Sequence, residues 1–244
     1  MKKILTILIF TVILFSAKSQ GQSFGFGCLG LSGVFGGYSY QFYKAEGLNK
    51  YINTQARGSQ TSKSNIEYKR GEGFIVGANV LKAQFKSVFI GLKGFYQFSR
   101  ETKILKPVGN LNYRNYEFNF NYWGAGVDFG FPLGSFLSLK LIDAGVTYSD
   151  ISLKISEKIG SQNIPVETYR SEKPKLAYYV GSGLIFNIIS NYLSLELTAR
   201  YHFSNYENLV ISNKQYLIEE NSDLKLVSNS GIQATAQINI GIPF

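Results

Sequence analysis

After Phe15 the chain has no apolar run approaching the twenty or so residues that a membrane-crossing helix needs, so a helical membrane bundle is excluded. Cysteine occurs once, as Cys28, and no internal disulfide can form. Gly25-Phe26-Gly27 ahead of it, well past the apolar leader, does not suit lipid attachment. Histidine also occurs once, as His202. One His and one Cys cannot furnish a transition-metal centre, and no spaced Asp-rich motif for calcium is present. The glycines between Gly25 and Gly37 lack the lysine and following helix of a phosphate loop. Charge is sparse, 17% of residues, with no basic cluster, which argues against nucleic acid as a partner. Neither a metal nor any other cofactor is expected.

What is abundant is aromatic and small. Tyr (17), Phe (19) and Gly (25) are frequent, while Pro (5), Met and Trp (one each) are rare. A water-soluble domain normally holds fewer aromatics and more charge. The first residues have the order of a secretory signal: Lys2 and Lys3, an apolar run from Ile4 to Phe15, then Ala17-Lys18-Ser19 before Gln20. The expected organisation is therefore a signal peptide over residues 1–19 and a single domain over 20–244. Without Lys2, Lys3 and Lys18 the formal charge falls from +9 to +6.

That domain alternates. From Gly231 to Phe244 the even positions are Ile232, Ala234, Ala236, Ile238, Ile240, Ile242 and Phe244, and most odd ones are polar or glycine. Tyr192 to Phe203 sets Leu193, Leu195, Leu197, Ala199, Tyr201 and Phe203 against Ser194, Glu196, Thr198, Arg200 and His202. A third strand runs from Val88 to Phe98, and weaker ones lie near Leu29–Phe42, Gly73–Leu81 and Leu176–Phe186. Two segments change parity. Leu137, Leu139 and Leu141 give way to Ala144, Val146 and Tyr148, and Tyr116 to Tyr122 give way to Trp123, Ala125, Val127, Phe129 and Phe131. A β-bulge in each, the first near Ile142-Asp143, would absorb the slip. The links alternate between long (Lys44–Glu72, Ser99–Leu111, Lys154–Pro174, Tyr206–Asn229) and short (Lys82–Gln84, Pro132–Ser135, Ile188–Asn191). Ala45 to Asn53, in the first long link, has the composition of a short helix. The pattern implies an all-β fold: a closed antiparallel transmembrane β-barrel of about eight strands, with tight periplasmic turns and long extracellular loops.

These strands, the leader ending Ala17-Lys18-Ser19-Gln20 and the terminal Gln237-Ile238-Asn239-Ile240-Gly241-Ile242-Pro243-Phe244 resemble small bacterial outer-membrane barrels, including the Bacteroidota-type barrel domain and eight-stranded porin-family proteins. The resemblance implies an outer-membrane location among outer-membrane lipid and lipopolysaccharide. It also implies that the barrel-assembly machinery reads Ile240, Ile242 and Phe244 as an assembly signal.

Strand parity directs Lys93, Glu117, Asp128, Lys140, Asp143, Glu196 and Arg200 into the lumen. Opposite charges sealed in a poorly hydrated interior must pair, and the expectation is a plug of ion pairs. His202 is the one residue suited to imidazole catalysis, with Ser149-Asp150 near its level on another strand, but no motif joins them. The first long link is rich in Lys and Arg and the last in Glu and Asp, which would give the rim a basic and an acidic side for surface ligands or outer-membrane partner proteins. Three functions follow in order: a non-enzymatic barrel in envelope structure, surface binding or a larger assembly; a narrow channel for small solutes; and a lipid-modifying enzyme.

Overall fold

The computed structural model describes residues 23–24, 33–58, 66–85, 87–106, 113–159, 162–189, 192–206, 209–211, 217 and 226–241. The leader, Cys28, Ile242, Phe244 and most of the acidic last link lie outside these residues. In chain order the elements are β1 (Ser23–Phe24), β2 (Gly33–Phe42), α1 (Glu46–Gly58), β3 (Arg70–Gln84), β4 (Phe89–Leu105), β5 (Tyr113–Pro132), β6 (Leu137–Ile159), β7 (Gln162–Ser171), β8 (Lys175–Ile189), β9 (Leu193–Tyr206), β10 (Leu209–Val210) and β11 (Val227–Gly241).

Eight of these strands form a ring in the order β2-β3-β4-β5-β6-β8-β9-β11, every neighbouring pair antiparallel. The ring closes where β11 meets β2, from Gln233 opposite Gln41 to Gly241 opposite Gly33. Closure removes both sheet edges, which lipid cannot hydrate. The short links fall at one end together with the start of β2 and the end of β11. At the other end β6 outgrows its partner. Leu137 to Ser149 pair with β8, whereas Ser152 to Ile159 pair with β7, to which β10 adds. The tops of β4, β5 and β6, with β7 and β10, thus rise as a wall above the ring.

The ring is inside out relative to a water-soluble protein. Val34, Phe74, Val76, Leu92, Val127, Val146, Val180, Leu197, Ile232, Ile238 and Ile240 are exposed on its outer face, while Lys93, Asp128, Lys140, Asp143, Glu196 and Arg200 are buried inside. Aromatic rings mark both borders of the apolar band. Tyr38 meets Phe74 and Tyr96 meets Trp123 toward the long-loop end, and Phe129 meets Phe131 and Phe136 meets Phe186 toward the short turns. This polarity, with two aromatic girdles, is that of an outer-membrane barrel solvated by lipid. No helix among the described residues is long and apolar enough to cross a membrane; the crossing is made by strands.

The two parity changes have different causes. In β6 a bulge is present: Phe129 pairs with Ile142 and Gly130 with Lys140, leaving Leu141 unpaired, and opposite β8 the register jumps from Lys140 to Asp143. Leu141 and Ile142 both face outward. In β5 the expected bulge at Tyr122-Trp123 is absent, because Phe120, Tyr122 and Gly124 pair in unbroken register with Ile151, Ser149 and Thr147. The even residues Tyr116, Phe118, Phe120 and Tyr122 are buried inside, and the odd Asn115, Glu117, Asn119 and Asn121 face out. What switches at Tyr122-Trp123 is the solvent. Below it the outer wall is Trp123, Ala125, Val127, Phe129 and Phe131; above it the wall is polar and stands in water.

The same inversion explains why two expected long links, Ser99–Leu111 and Lys154–Pro174, are largely strand. β4 continues to Leu105, β6 to Ile159, and β7 fills Gln162–Ser171. Most of their outward residues are polar because they lie above the membrane, Ile104, Ile164 and Val166 excepted, so composition alone reads them as loop. The segment Ala45–Asn53, for which the sequence left a helix open, lies largely in α1, with Leu48, Ile52 and Ala56 buried at four-residue spacing.

Arg at Val127, mid-band on the outer wall, should cost about 2 to 4 kcal/mol of folding stability, whereas Arg at Asn121, above the girdle, should cost about 0 to 1 kcal/mol. Urea unfolding in lipid vesicles measures both, and equal tolerance would put the membrane boundary elsewhere.

Candidate functional site

Six charged side chains form one alternating chain across the lumen. Arg200 Nε donates to Asp143 Oδ2 (2.8 Å), Lys93 Nζ donates to Asp143 Oδ1 (2.7 Å) and Asp128 Oδ1 (2.8 Å), and Lys140 Nζ donates to Asp128 Oδ2 (3.0 Å) and Glu196 Oε1. Asn239 Nδ2 reaches Glu196 Oε2 at 3.2 Å. Every carboxylate oxygen in the chain therefore has a donor, and three cations balance three anions. The β6 bulge is what makes this possible. Residues three apart on a regular strand face opposite sides, and the extra residue turns Lys140 and Asp143 to the same side.

Glu117 is not part of this chain. It lies on the outer wall of β5, with Oε2 3.2 Å from Arg100 Nη1 and Oε1 3.8 Å from Lys154 Nζ. The expectation that it faces inward followed from the bulge that β5 does not have. Among residues that parity did not single out, Lys82 pairs beside the inward Gly91, its Nζ 5.8 Å from the Phe89 ring.

Rings seal the charged layer. The Arg200 guanidinium lies 5.5 Å from the Phe95 ring and 5.1 Å from Tyr179, and these two rings meet edge to face at 5.9 Å. Their far ends reach close to the wall because Gly124 and Gly126 have no side chain. A Cβ at Gly124 would sit 2.3 Å from Phe95 Cζ, and one at Gly126 would sit 1.9 Å from the Tyr179 hydroxyl.

Above comes a neutral polar layer. His202 Nε2 hydrogen-bonds Gln233 Oε1, Gln233 Nε2 donates to Gln97 Oε1 (2.6 Å), and Gln97 Nε2 donates to Ser99 Oγ (3.2 Å). The imidazole is stacked on Tyr179 at 5.5 Å. Ser149 Oγ contacts the Tyr206 hydroxyl and donates to the Lys175 carbonyl (3.1 Å), while Asp150 accepts from Ser171 (2.6 Å). The three residues considered for acyl transfer thus each have other partners, and no nucleophile–base–acid line forms. Among the described residues no cluster of three or more His, Cys, Asp or Glu could hold a metal ion.

The extracellular end is closed by a small apolar core. Leu48, Ile52 and Ala56 of α1 pack with Tyr43, Tyr68, Phe118, Phe120, Ile151, Leu153, Leu209 and Leu226. Two asparagines one helical turn apart hold α1 to the strand-like segment before β3. Asn49 donates to the Tyr68 carbonyl (3.1 Å) and accepts from its N–H (2.6 Å), and Asn53 does the same for Ile66 (3.1 and 3.0 Å). Glu101 then anchors the segment to β4, its Oε2 accepting from Tyr43 OH (2.6 Å), Lys69 N (3.0 Å) and Arg70 N (2.8 Å). Burial, and then the neighbouring Glu101 carboxylate, push the Tyr43 hydroxyl well above the usual tyrosine range, so it remains a donor. Leu48 N donates to the Leu226 carbonyl (3.2 Å), which ties the first link to the last. The one sequence signal for this cap is the pair Asn49 and Asn53 inside a segment that could form a helix, where asparagine is a poor former.

The sequence matches no protein-family model and no curated protein. Among solved structures the chain is similar to the Yersinia pestis attachment invasion locus protein Ail in complex with the heparin analogue sucrose octasulfate (15% identity, 86% of this chain and 97% of that one, TM-score 0.42). It is similar to Neisserial surface protein A (12%, 91% and 100%, TM-score 0.45) and to the Escherichia coli outer membrane protease OmpT (11%, 91% and 95%, TM-score 0.41).

Two substitutions probe the closure. Asp143→Asn leaves Lys93 and Arg200 short of charge in a sealed interior and should lower stability by about 3 to 5 kcal/mol, whereas Glu117→Gln, at a partly exposed pair, should cost about 0 to 1 kcal/mol. Chemical unfolding in detergent compares them, and equal losses would contradict the buried chain. Asn53→Ala removes both hydrogen bonds to Ile66 and should weaken local protection there by about 1 to 3 kcal/mol, read by hydrogen exchange at the Ile66 amide. Unchanged exchange would mean that α1 is held by apolar packing alone.

Proposed function

We propose that the chain is a non-enzymatic, closed outer-membrane barrel that carries a folded extracellular platform for envelope structure, surface ligands or outer-membrane partner proteins. The observation that carries this reading is the alternating chain of six buried charges under an apolar cap. A solute passing through would have to break paired charges out of a sealed interior, a step that costs several kcal/mol per ion. The cap supports the second half of the reading. A link needed only to join β2 to β3 has no use for a helix held by two asparagines and a buried carboxylate, whereas a binding platform gains from such preorganisation.

In this reading the membrane partners are outer-membrane lipid and lipopolysaccharide, and the Bacteroidota-type barrel domain is the family that the strand pattern resembles. Ile240, outward on β11, together with Ile242 and Phe244, serves as the signal for the barrel-assembly machinery. Ail's complex with a heparin analogue is an instance of a surface ligand on a barrel of this kind. Purified protein in planar bilayers should show no stable single-channel steps. Reproducible conductance from the intact protein would replace this reading with the narrow solute channel.

A further inference from the structure

The outer face of the wall that β4, β5, β6 and β7 raise above the membrane has no part in closing the lumen, yet its charges are ordered. The strand registers set its residues in rows. At the foot is the girdle, where Tyr96, Trp123 and Tyr148 are cross-strand neighbours and the Tyr96 and Trp123 rings lie 4.7 Å apart. Two rows higher, about 13 Å along a strand, Arg100, Asn119, Ser152 and Arg170 are neighbours. The next row sets Thr102, Glu117, Lys154 and Thr168 side by side. At the top the Lys106 and Lys158 amines lie 5.8 and 5.3 Å from the Tyr113 ring.

This face therefore carries five cations, Arg100, Lys106, Lys154, Lys158 and Arg170. Against them stand three acids, each with a partner of its own: Glu72 of β3, the cross-strand neighbour of Arg100, accepts from the Tyr38 hydroxyl (2.6 Å), and the other two lie within the wall. Glu117 lies between Arg100 and Lys154, and Asp150 accepts from Ser171. Arg100 and Lys154 keep about half of their side-chain surface exposed although they flank the same carboxylate. The excess of positive charge begins two rows above the aromatic border of the apolar band, past the row of Phe98, Asn121 and Asp150, at a height within reach of the phosphates and sugars of outer-leaflet lipids. Asn119 and Ser152 between the cations are buried in the wall, Asn119 accepting from Arg100 Nε (3.2 Å) and donating to Glu117 Oε1 (3.0 Å), so the groups left to meet a ligand are the cations themselves.

We infer that this face of the wall docks the phosphorylated headgroup of an anionic glycolipid of the outer leaflet. The inference rests on the outer-membrane placement of the proposed function and names the lipid-facing side of the platform. Charge complementarity selects an anion, and continuity with the girdle selects one anchored in the same membrane. A resident lipid is held beside the wall at high effective concentration, so modest contacts suffice.

The test titrates lipopolysaccharide, and the same material after removal of its phosphates, into the purified protein in neutral phosphatidylcholine nanodiscs, with native mass spectrometry counting bound molecules. The Arg100→Gln, Lys154→Gln, Arg170→Gln triple variant should bind about 100-fold more weakly than the intact protein, from about fivefold per cation near an anionic surface. Phosphate removal should weaken binding to the same degree. Lys44→Gln with Lys50→Gln, exposed beside and on α1, should leave it unchanged. Undiminished binding by a triple variant that retains the heat-modifiable gel shift of a closed barrel overturns the inference, as does equal binding of dephosphorylated material. If the triple variant does not fold, the intact protein decides: its affinity should fall steeply with added salt, and a salt-independent affinity overturns the inference. Conductance reports on the lumen and this titration on the outer wall, so a conducting protein that still binds the glycolipid fails the functional reading alone.

Discussion

Charges removed from water must be neutralised where they stand, and in this protein that constraint organises the lumen. Three cations and three anions lie in one alternating line from Arg200 to Glu196, each carboxylate oxygen met by a donor. A buried ion pair seldom adds net stability over well-packed apolar residues, because the desolvation cost nearly cancels the attraction. What it supplies here is geometry, since only one register of β4, β5, β6 and β9 brings the six groups within reach. The β6 bulge belongs to that requirement: without the unpaired Leu141, either Lys140 or Asp143 would face lipid. The glycines of β5 that admit Phe95 and Tyr179 serve the same end from the strand beside β6.

A second constraint is the change of solvent along each tall strand. On β5 the outer face within the membrane is apolar and the inner face small or charged; above it the outer face is polar and the inner face aromatic. β5 crosses from one regime to the other at Tyr122-Trp123 without a break in register, from Asn115–Asn121 to Trp123–Phe131 on one face and from Tyr116–Tyr122 to Gly124–Gly130 on the other. One strand thus contributes to a lipid-solvated barrel and to a water-solvated core. The inner aromatics of its upper half are what α1 packs against, so the cap continues the sheet rather than resting on it as a separate loop.

These two regimes divide the molecule by role. The membrane half is a closed plug. The upper half combines a preorganised helix with a wall whose outer face holds cations above the lipid border.

Much of this was legible in the chain itself. Alternation in Leu193–Phe203 and Ile232–Ile240, the aromatic and glycine content, and the division of short from long links determined a lipid-facing antiparallel barrel, because a period of two with one apolar face has few other solutions. The same alternation directed Lys93, Asp128, Lys140, Asp143, Glu196 and Arg200 inward, and the slip after Leu141 pointed to the bulge. Tertiary structure alone decided the rest. Whether the apolar face of Tyr116–Tyr122 met lipid or a protein core depends on where the membrane ends, and local sequence does not encode that height. It therefore sent Glu117 outward instead of inward and turned polar segments such as Lys154–Lys158 from loop into strand. Which donor reaches which oxygen, how Asn49 and Asn53 clasp Tyr68 and Ile66, and how Glu101 gathers Tyr43, Lys69 and Arg70 are contacts between residues distant in sequence, and they exist only once the ring has closed.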